Sequence, residues 1–211
     1  MYEKYGQFTD GKWHKSSNGE TYEVINPANE EVLGQASKAS PEDVNKALLS
    51  AQKGLEVWRK TPPWQRAYIL RRIADKMREK QDILAKWMTL EVGKPFAEAK
   101  GEVNGAADIY EWNAEETKRI YGQTVESRFE DTRVHVYYQP VGVVAALVPW
   151  NFPLVLSARK ISTALAAGCS VIVKPDVITP GVVMEQVEIC RECGVPPGVI
   201  NLLSGDPPSI A

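Results

Sequence analysis

Three short apolar runs in the last third of the chain place the strongest limit on its fold. They cover residues 141–148, 170–174 and 198–203, and nearly continuous apolar runs of this length are typical of parallel strands that are buried on both faces. Helical segments separate the three runs, over residues 154–167 and 180–194. The alternation predicts a βαβαβ unit with right-handed crossovers, which is half of a doubly wound, Rossmann-like nucleotide-binding sheet.

The residues before position 122 predict a mainly helical lead-in. Residues 19–27 and 31–37 have the pattern of two short strands, with an Asn-Pro turn signal between them. Ser40 and Pro41 predict the start of a helix, because Ser caps the first turn and Pro fits the first helical position. Apolar residues at helical spacing predict three further helices, the last over residues 95–120.

Residues 122–140 predict a protruding element between the lead-in and the parallel unit. Two segments with strand character, 124–128 and 133–139, flank the polar stretch 129–132, which is typical of a hairpin or an antiparallel arm. We therefore expect an α/β protein with three parts. These are amino-terminal strands and helices over 1–121, the arm over 122–140 and the parallel core over 141–211.

Composition argues against several classes of partner. The 211 residues carry a formal net charge of −2, so neither nucleic acid nor an anionic membrane surface is an expected partner. No apolar run reaches the roughly 18–20 residues that a membrane helix needs, and the first residues lack the apolar segment of a secretory signal. We expect a cytoplasmic protein, in which three cysteines are too few for a disulfide framework.

The candidate site lies where the predicted strands end, because open parallel sheets bind ligands beyond the carboxyl ends of their strands. Segments 149–153, 174–180 and 204–208 occupy these places, and the first reads Pro-Trp-Asn-Phe-Pro. Its two prolines fix the backbone. Asn151 can then donate two side-chain hydrogen bonds to an oxyanion formed from a carbonyl group. The alternative is that Asn151 only caps the helix that follows.

Lys174 ends the second apolar run. A buried Lys needs a partner, so Lys174 would reach a phosphate or ribose hydroxyls at the sheet edge. The alternative is a side chain that extends into solvent. Cys190 and Cys193 form a Cys-x-x-Cys pattern at a helix end. Because a redox pair prefers a helix start and zinc needs two further ligands, we expect both of them, and Cys169, to be packed residues, and we expect no metal site.

Five ordered blocks over nearly the whole chain resemble the NAD(P)-dependent aldehyde dehydrogenase family, in its amino-terminal, cofactor-binding half. The most specific block joins Pro-Val-Gly-Val-Val to the Pro-Trp-Asn-Phe-Pro segment, and another reads Leu-Glu-Val-Gly-Lys-Pro. The blocks are residues 25–29, 90–100, 140–144 with 149–153, 166–175 and 194–201.

The resemblance implies roles for single residues. Asn151 would donate its amide to the thiohemiacetal oxyanion, and Lys174 would hold the adenine ribose, with Asp176, Val177 and Gly205 beside the cofactor. Residues on the nicotinamide side would be Leu147, Val148, Pro149, Trp150 and Asn151. The family oxidises small-molecule aldehydes to acids through a thioester and passes a hydride to NAD or NADP. The arm would cross to a neighbouring subunit, in a homodimer or homotetramer.

Two departures from the family pattern bear on the cofactor. Asp176 and Val177 stand where relatives often have a small residue and a ribose-binding Glu. Without that carboxylate a 2′-phosphate is not repelled, so NADP is tolerated or preferred, unless Asp176 replaces the acid in part. In addition, Gly205 is all that remains of a Gly-x-Gly pattern, and Pro207 has no N–H to offer a phosphate.

The resemblance also implies that the nucleophilic Cys and the general-base Glu belong to a second half of the enzyme. We expect the 211-residue chain to be inactive and poorly soluble alone. A truncated nucleotide-binding or subunit-pairing module is the alternative, and a redox enzyme using Cys190 and Cys193 is the least favoured interpretation. Small aliphatic aldehydes or semialdehydes are the expected substrates of the whole enzyme.

Overall fold

The structure is a computed structural model that describes residues 2–206 and residue 210. Within these residues the strands are β1 (Gln7–Thr9), β2 (Lys12–His14), β3 (Thr21–Ile25), β4 (Val32–Ser37), β5 (Gln123–Glu126), β6 (Arg133–Val136), β7 (Val143–Leu147), β8 (Ser170–Lys174) and β9 (Ile200–Leu202). The helices are α1 (Pro41–Trp58), α2 (Pro63–Glu79), α3 (Gln81–Val92), α4 (Phe96–Thr117), α5 (Pro153–Ala167) and α6 (Pro180–Glu192). None of them is both long and apolar enough to cross a membrane.

The predicted βαβαβ unit is confirmed. β7, β8 and β9 are parallel neighbours, α5 and α6 connect them, and the described sheet has the order β2-β1-β9-β8-β7. The expectation that all three strands are buried on both faces is wrong for β7. It is the edge strand, with Ala145 and Leu147 exposed, whereas every residue of β8 is buried. An edge strand has a neighbour on one side only, so part of its apolar surface stays open.

The amino-terminal strands β1 and β2 extend this sheet, which the sequence pattern did not predict. β1 pairs antiparallel with β9 through Phe8 and Leu202. Each of the two strands has three residues, which is too short for an alternating pattern to be recognised. Phe8 is buried and packs against Trp13 with 4.8 Å between the ring centroids.

The two faces of the sheet are covered by different helices. Along β8, Val171 and Val173 belong to the large core cluster that includes α5 and α6 side chains, whereas Ile172 packs with Ala47 and Ala51 of α1. This alternation is what successive residues of a strand require. α1 lies close to the sheet because Gly54 leaves room for the backbone at position 198, where a Cβ would collide. Helices α2, α3 and α4 pack outside α5 and α6.

Most predicted helix and hairpin positions are confirmed. Ser40 caps α1 in a capping box, since the N–H of Asp43 donates to Ser40 Oγ at 3.3 Å and the N–H of Ser40 donates to Asp43 Oδ2 at 2.8 Å. The arm is an antiparallel hairpin in which β5 and β6 pair from Gln123 and Val136 to Glu126 and Arg133, with every strand residue exposed.

Candidate functional site

The three strand ends meet at one edge of the sheet. Leu147 of β7 is the register partner of Lys174 of β8, and the N–H of Val148 donates to the Lys174 carbonyl at 2.9 Å. On the other side of β8, the N–H of Leu203 donates to the Val173 carbonyl at 2.9 Å. The predicted segments that follow these strands are therefore neighbours. Residues 207–209, which include Pro207 and Pro208, lie outside the described residues.

Asn151 lies in the turn between β7 and α5, and its side chain is exposed. The alternative that Asn151 caps α5 is wrong, because Phe152 occupies the N-cap position and provides no side-chain hydrogen bond. The N–H groups of Leu154 and Val155 donate instead to Glu102 Oε1, at 3.0 and 3.2 Å. Among the described residues the Asn151 amide makes no hydrogen bond, so it is available to a ligand.

Lys94 and Glu102 support this turn, and neither residue was predicted from the sequence. Their side chains form a buried ion pair, and Lys94 Nζ also donates to the Asn151 carbonyl at 3.3 Å. The sequence did hold a signal for Glu102, because this carboxylate lies on the apolar face of a helix. Its neighbours Ala99 and Val103 have no exposed surface. A buried carboxylate of this kind needs partners.

A groove of about 500 Å³ opens beside Asn151, between α4 and α5. Phe152 and Val155 give it apolar surface, and Glu98 and Arg159 give it charge. Within the described part of the chain, the Arg159 guanidinium forms no ion pair. The groove therefore offers an amide, an apolar wall and an unpaired cation to a small molecule.

Lys174 is only 8% exposed, so the alternative of a side chain extending into solvent is wrong. Burial lowers the pKa of Lys174, and the carboxylates of Asp176 and Asp206 oppose that effect. Its Nζ forms no hydrogen bond or ion pair with any residue that the structure describes. A mostly buried ammonium group without a direct hydrogen bond is costly, which points to a ligand that supplies acceptor oxygens.

The loops beside Lys174 are fixed by local contacts. Asp176 Oδ1 accepts the N–H of Ile178 at 3.1 Å, and Val177 is half-buried. Gly205 has φ +148, and a Cβ there would lie 3.0 Å from the backbone nitrogen of Ala39. The packing of the loop against the start of α1 therefore requires a glycine at this position.

The cysteines lie in the core and away from this edge. Cys169, Cys190 and Cys193 are free and buried, which confirms that they are packed residues. Cys169 directly precedes β8, at the opposite end of the strand from Lys174. Burial raises the pKa of Cys190 to about 12, and burial also raises that of Cys193. Both are therefore thiols at neutral pH, in which state they are poor nucleophiles.

Comparison with known proteins gives a consistent result. The model of the aldehyde dehydrogenase family matches residues 13–211. Glutarate-semialdehyde dehydrogenase of Pseudomonas aeruginosa is 44% identical over 198 residues, which are 94% of this chain and 41% of that protein. An NADP(+) succinate-semialdehyde dehydrogenase of Escherichia coli is 45% identical over 196 residues, which are 93% of this chain and 41% of that protein. The chain thus spans about two fifths of these relatives.

Solved structures show the same relationship. The crystal structure of an E. coli NADP-dependent enzyme superposes with a TM-score of 0.96 at 43% identity, over 97% of this chain and 43% of that one. Betaine aldehyde dehydrogenase of Staphylococcus aureus, solved with NAD+, gives a TM-score of 0.95 at 34% identity, over 98% of this chain and 43% of that one. NAD and NADP are thus both named among the similar proteins. On its sequence and its fold, the chain belongs to the aldehyde dehydrogenase family, whose amino-terminal half it resembles.

Proposed function

We propose that this segment binds NAD(P)+ and supplies the oxyanion donor in a longer enzyme that oxidises an aldehyde to a carboxylic acid. The observation that carries the proposal is the placement of Lys174 and Asn151 at one edge of the sheet. Lys174 is a buried cation and Asn151 an exposed amide, and neither side chain has a hydrogen-bond partner among the described residues. The ammonium group suits the oxygens of a dinucleotide, and the amide suits the negative oxygen that develops on a carbonyl under attack.

Apolar side chains beside Asn151 suit the nicotinamide end of the cofactor. Leu147 and Trp150 are about half exposed, so both offer surface to a flat ring, and Pro149 stiffens the backbone between them. Val148 is buried and would support this surface from the core side. When bound, NAD(P)+ accepts the hydride that leaves the substrate carbon.

The residues at the end of β8, where the adenine ribose would bind, favour NADP+. Val177 has no carboxylate to repel a 2′-phosphate, and one oxygen of Asp176 already accepts the N–H of Ile178, so it is less available to a ribose hydroxyl. Lys174 supplies a positive charge nearby. We expect the dissociation constant of NADP+ to be equal to or below that of NAD+, and Val177→Glu to shift the preference toward NAD+. A clear preference of the unsubstituted protein for NAD+ would contradict this assignment.

An aldehyde with an anionic group at its far end is the substrate that the groove favours. Similar proteins are named for glutarate semialdehyde and succinate semialdehyde, and both of these molecules carry a carboxylate. Arg159 lines the same groove as Asn151, and its guanidinium matches a carboxylate in geometry and charge. Arg159→Met is expected to raise KM for a semialdehyde at least about tenfold and to change KM for an uncharged aldehyde of equal length little.

Covalent chemistry needs a thiolate that the described residues do not provide. Cys169, Cys190 and Cys193 are buried, so the nucleophile would come from another part of the enzyme. We therefore expect the 211-residue chain to oxidise no aldehyde alone. This observation also favours the second candidate, a non-catalytic nucleotide-binding or subunit-pairing module, in which the exposed hairpin over residues 122–140 contacts another subunit.

Two measurements separate these candidates. Titration of the chain with NADP+, followed by quenching of its tryptophan fluorescence, tests cofactor binding without catalysis. Kinetics of a full-length enzyme with the Asn151→Ala substitution test the oxyanion role, for which kcat is expected to fall about 10²- to 10³-fold. An unchanged kcat would refute the oxyanion role, and binding of NADP+ without aldehyde oxidation by the unsubstituted full-length protein would favour the second candidate.

A further inference from the structure

A buried ion pair from α4 and the segment before it holds the turn that carries Asn151. Glu102 lies on α4 and Lys94 lies between α3 and α4, and their side chains are 2% and 9% exposed. Gly93 ends α3 in the left-handed conformation, with φ +76, and Pro95 directly follows Lys94. The backbone around Lys94 therefore has little freedom, and both side chains of the ion pair are almost fully buried.

Each member of the pair contacts a different part of the turn. Glu102 Oε1 accepts the N–H groups of Leu154 and Val155, which begin α5. Lys94 Nζ donates to the Asn151 carbonyl at 3.3 Å and lies 3.9 Å from the centroid of the Phe152 ring. The peptide group after Asn151 and the first turn of α5 are thus both anchored to the same two side chains.

This anchoring matters because the Asn151 amide has no hydrogen bond of its own to a described residue. Its direction is set by the backbone that carries it. The carboxylate of Glu102 lies at the positive end of α5, where a negative charge is favourable. For groups that contact reacting atoms, a displacement of about 1 Å can lower a rate about 10²-fold. Small movements of the turn would therefore lower the rate of the chemical step.

We propose that Lys94 and Glu102 are positioning residues, which direct the Asn151 side chain toward the reacting carbonyl oxygen. The inference rests on the proposed oxyanion role of Asn151. Lys94 and Glu102 act through the backbone of residues 151–155 and need not touch the substrate. Their loss lowers the rate of the chemical step much more than the affinity for the cofactor, because Lys174 holds the cofactor at the neighbouring strand end.

A double-mutant cycle in a full-length enzyme that carries this segment tests the proposal. Lys94→Met is expected to lower kcat for aldehyde oxidation about 10- to 100-fold, with a much smaller change in the Kd for NADP+. Lys94→Arg is expected to restore part of kcat, because Arg keeps the charge and the donors. In an Asn151→Ala background Lys94→Met is expected to have no further effect on kcat, since the amide that it directs is gone.

The control is Lys100→Met, which makes the same change of charge at a half-buried Lys on α4 that pairs with Asp82. Its kcat should equal that of the unsubstituted enzyme. A further loss of kcat from Lys94→Met in the Asn151→Ala background, as large as in the unsubstituted one, would overturn the proposal. So would an unchanged kcat in Lys94→Met. A full-length enzyme that oxidises no aldehyde without any substitution would instead refute the proposed function, and the positioning role with it.

Hydrogen exchange gives a readout that needs no activity. In the 211-residue chain, Glu102→Ala is expected to accelerate exchange at the amides of Leu154 and Val155, which lose their acceptor. Glu102→Gln keeps an acceptor oxygen and should preserve most of the protection. Equal exchange rates in Glu102→Ala and the unsubstituted chain would show that Glu102 does not hold the turn, and would overturn the proposal.

Discussion

Glu91 makes the stability of this chain depend on pH in a direction that can be worked out from the structure. Its side chain lies in the core, where the residue is 1% exposed. It accepts the N–H groups of Gly181 and Val182 at 2.6 and 3.1 Å, and the hydroxyl of Tyr2 at 2.6 Å. Burial disfavours the charged form more than these three donors favour it, and it raises the pKa of Glu91 from 4.5 to about 7.

The magnitude follows from the difference between the folded and the unfolded pKa. Between the unfolded value of 4.5 and the folded value of about 7, the folded chain keeps a proton on Glu91 that the unfolded chain has lost. The free energy of unfolding therefore falls as pH rises through this window. One pKa unit corresponds to about 1.4 kcal/mol, so between about pH 5 and about pH 8 this group removes roughly 2.5 kcal/mol of stability.

Urea unfolding of the chain and of Glu91→Gln, followed by tryptophan fluorescence at both pH values, measures this effect. Gln fills the same space and does not titrate, so the other ionisable groups cancel in the difference between the two proteins. We expect that difference to shift by roughly 2–3 kcal/mol in favour of Glu91→Gln at the higher pH. A constant difference, or a shift in favour of the unsubstituted chain, would refute the reasoning, because the three hydrogen bonds would then outweigh the burial of charge.

Three further substitutions have opposite or graded effects that urea unfolding can detect. Lys174→Met should stabilise the chain by about 1 kcal/mol, because it removes a buried cation that makes no direct hydrogen bond to a described residue, and it should weaken NADP+ binding in a calorimetric titration at least about tenfold. Ser40→Ala should cost about 1 kcal/mol, since it removes the acceptor of the Asp43 N–H, whereas Ser40→Asp should cost more, because it places a second carboxylate 2.9 Å from the Asp43 carboxylate, where the Ser40 hydroxyl now donates. Trp58→Phe should cost about 2–4 kcal/mol, because it leaves the Leu165 carbonyl without its 2.8 Å donor and opens a cavity.

The parallel unit could be predicted from the sequence because its signals are local. A buried parallel strand is a short apolar run, and β8 matches its predicted residues 170–174 in full. β7 has the same composition but lies at an edge, and burial there depends on which chain segment comes next to it. No property of the residues in β7 itself reveals that neighbour. The pairing of β1 with β9 could not be predicted for the same reason, because it joins residues that are far apart in sequence.

The candidate site could be predicted only in part. That Asn151 and Lys174 lie at one edge follows from their positions at strand ends. The sequence did not distinguish a capping Asn from an unengaged one, because the competing acceptor, Glu102, lies 49 residues before it and reaches the turn only through the packing of α4 on α5. Arg159 was missed because an exposed Arg on a helix has no special spacing, and only the groove gives it a function.

Glu91 and Glu102 have the same structural role, since each accepts free N–H groups at the start of a helix beside the site. α5 and α6 both begin with Pro and have no side-chain cap of their own. In each case the side chain of a Glu from an earlier helix accepts the N–H groups of the second and third residues. A local capping side chain would occupy the turn, so a remote carboxylate leaves those turns free for Asn151 and for the loop after Lys174.

This arrangement also limits how a dinucleotide can bind. Phosphates often bind at helix N-termini, where free N–H groups and the helix dipole attract negative charge. Here the N–H groups of Leu154, Val155, Gly181 and Val182 are already bonded to carboxylates. The carboxylate of Glu102, and that of Glu91 where it is ionised, also repels a second anion. If the proposed function is correct, the affinity for the phosphates must therefore come from side chains such as Lys174 and not from the first turns of α5 and α6.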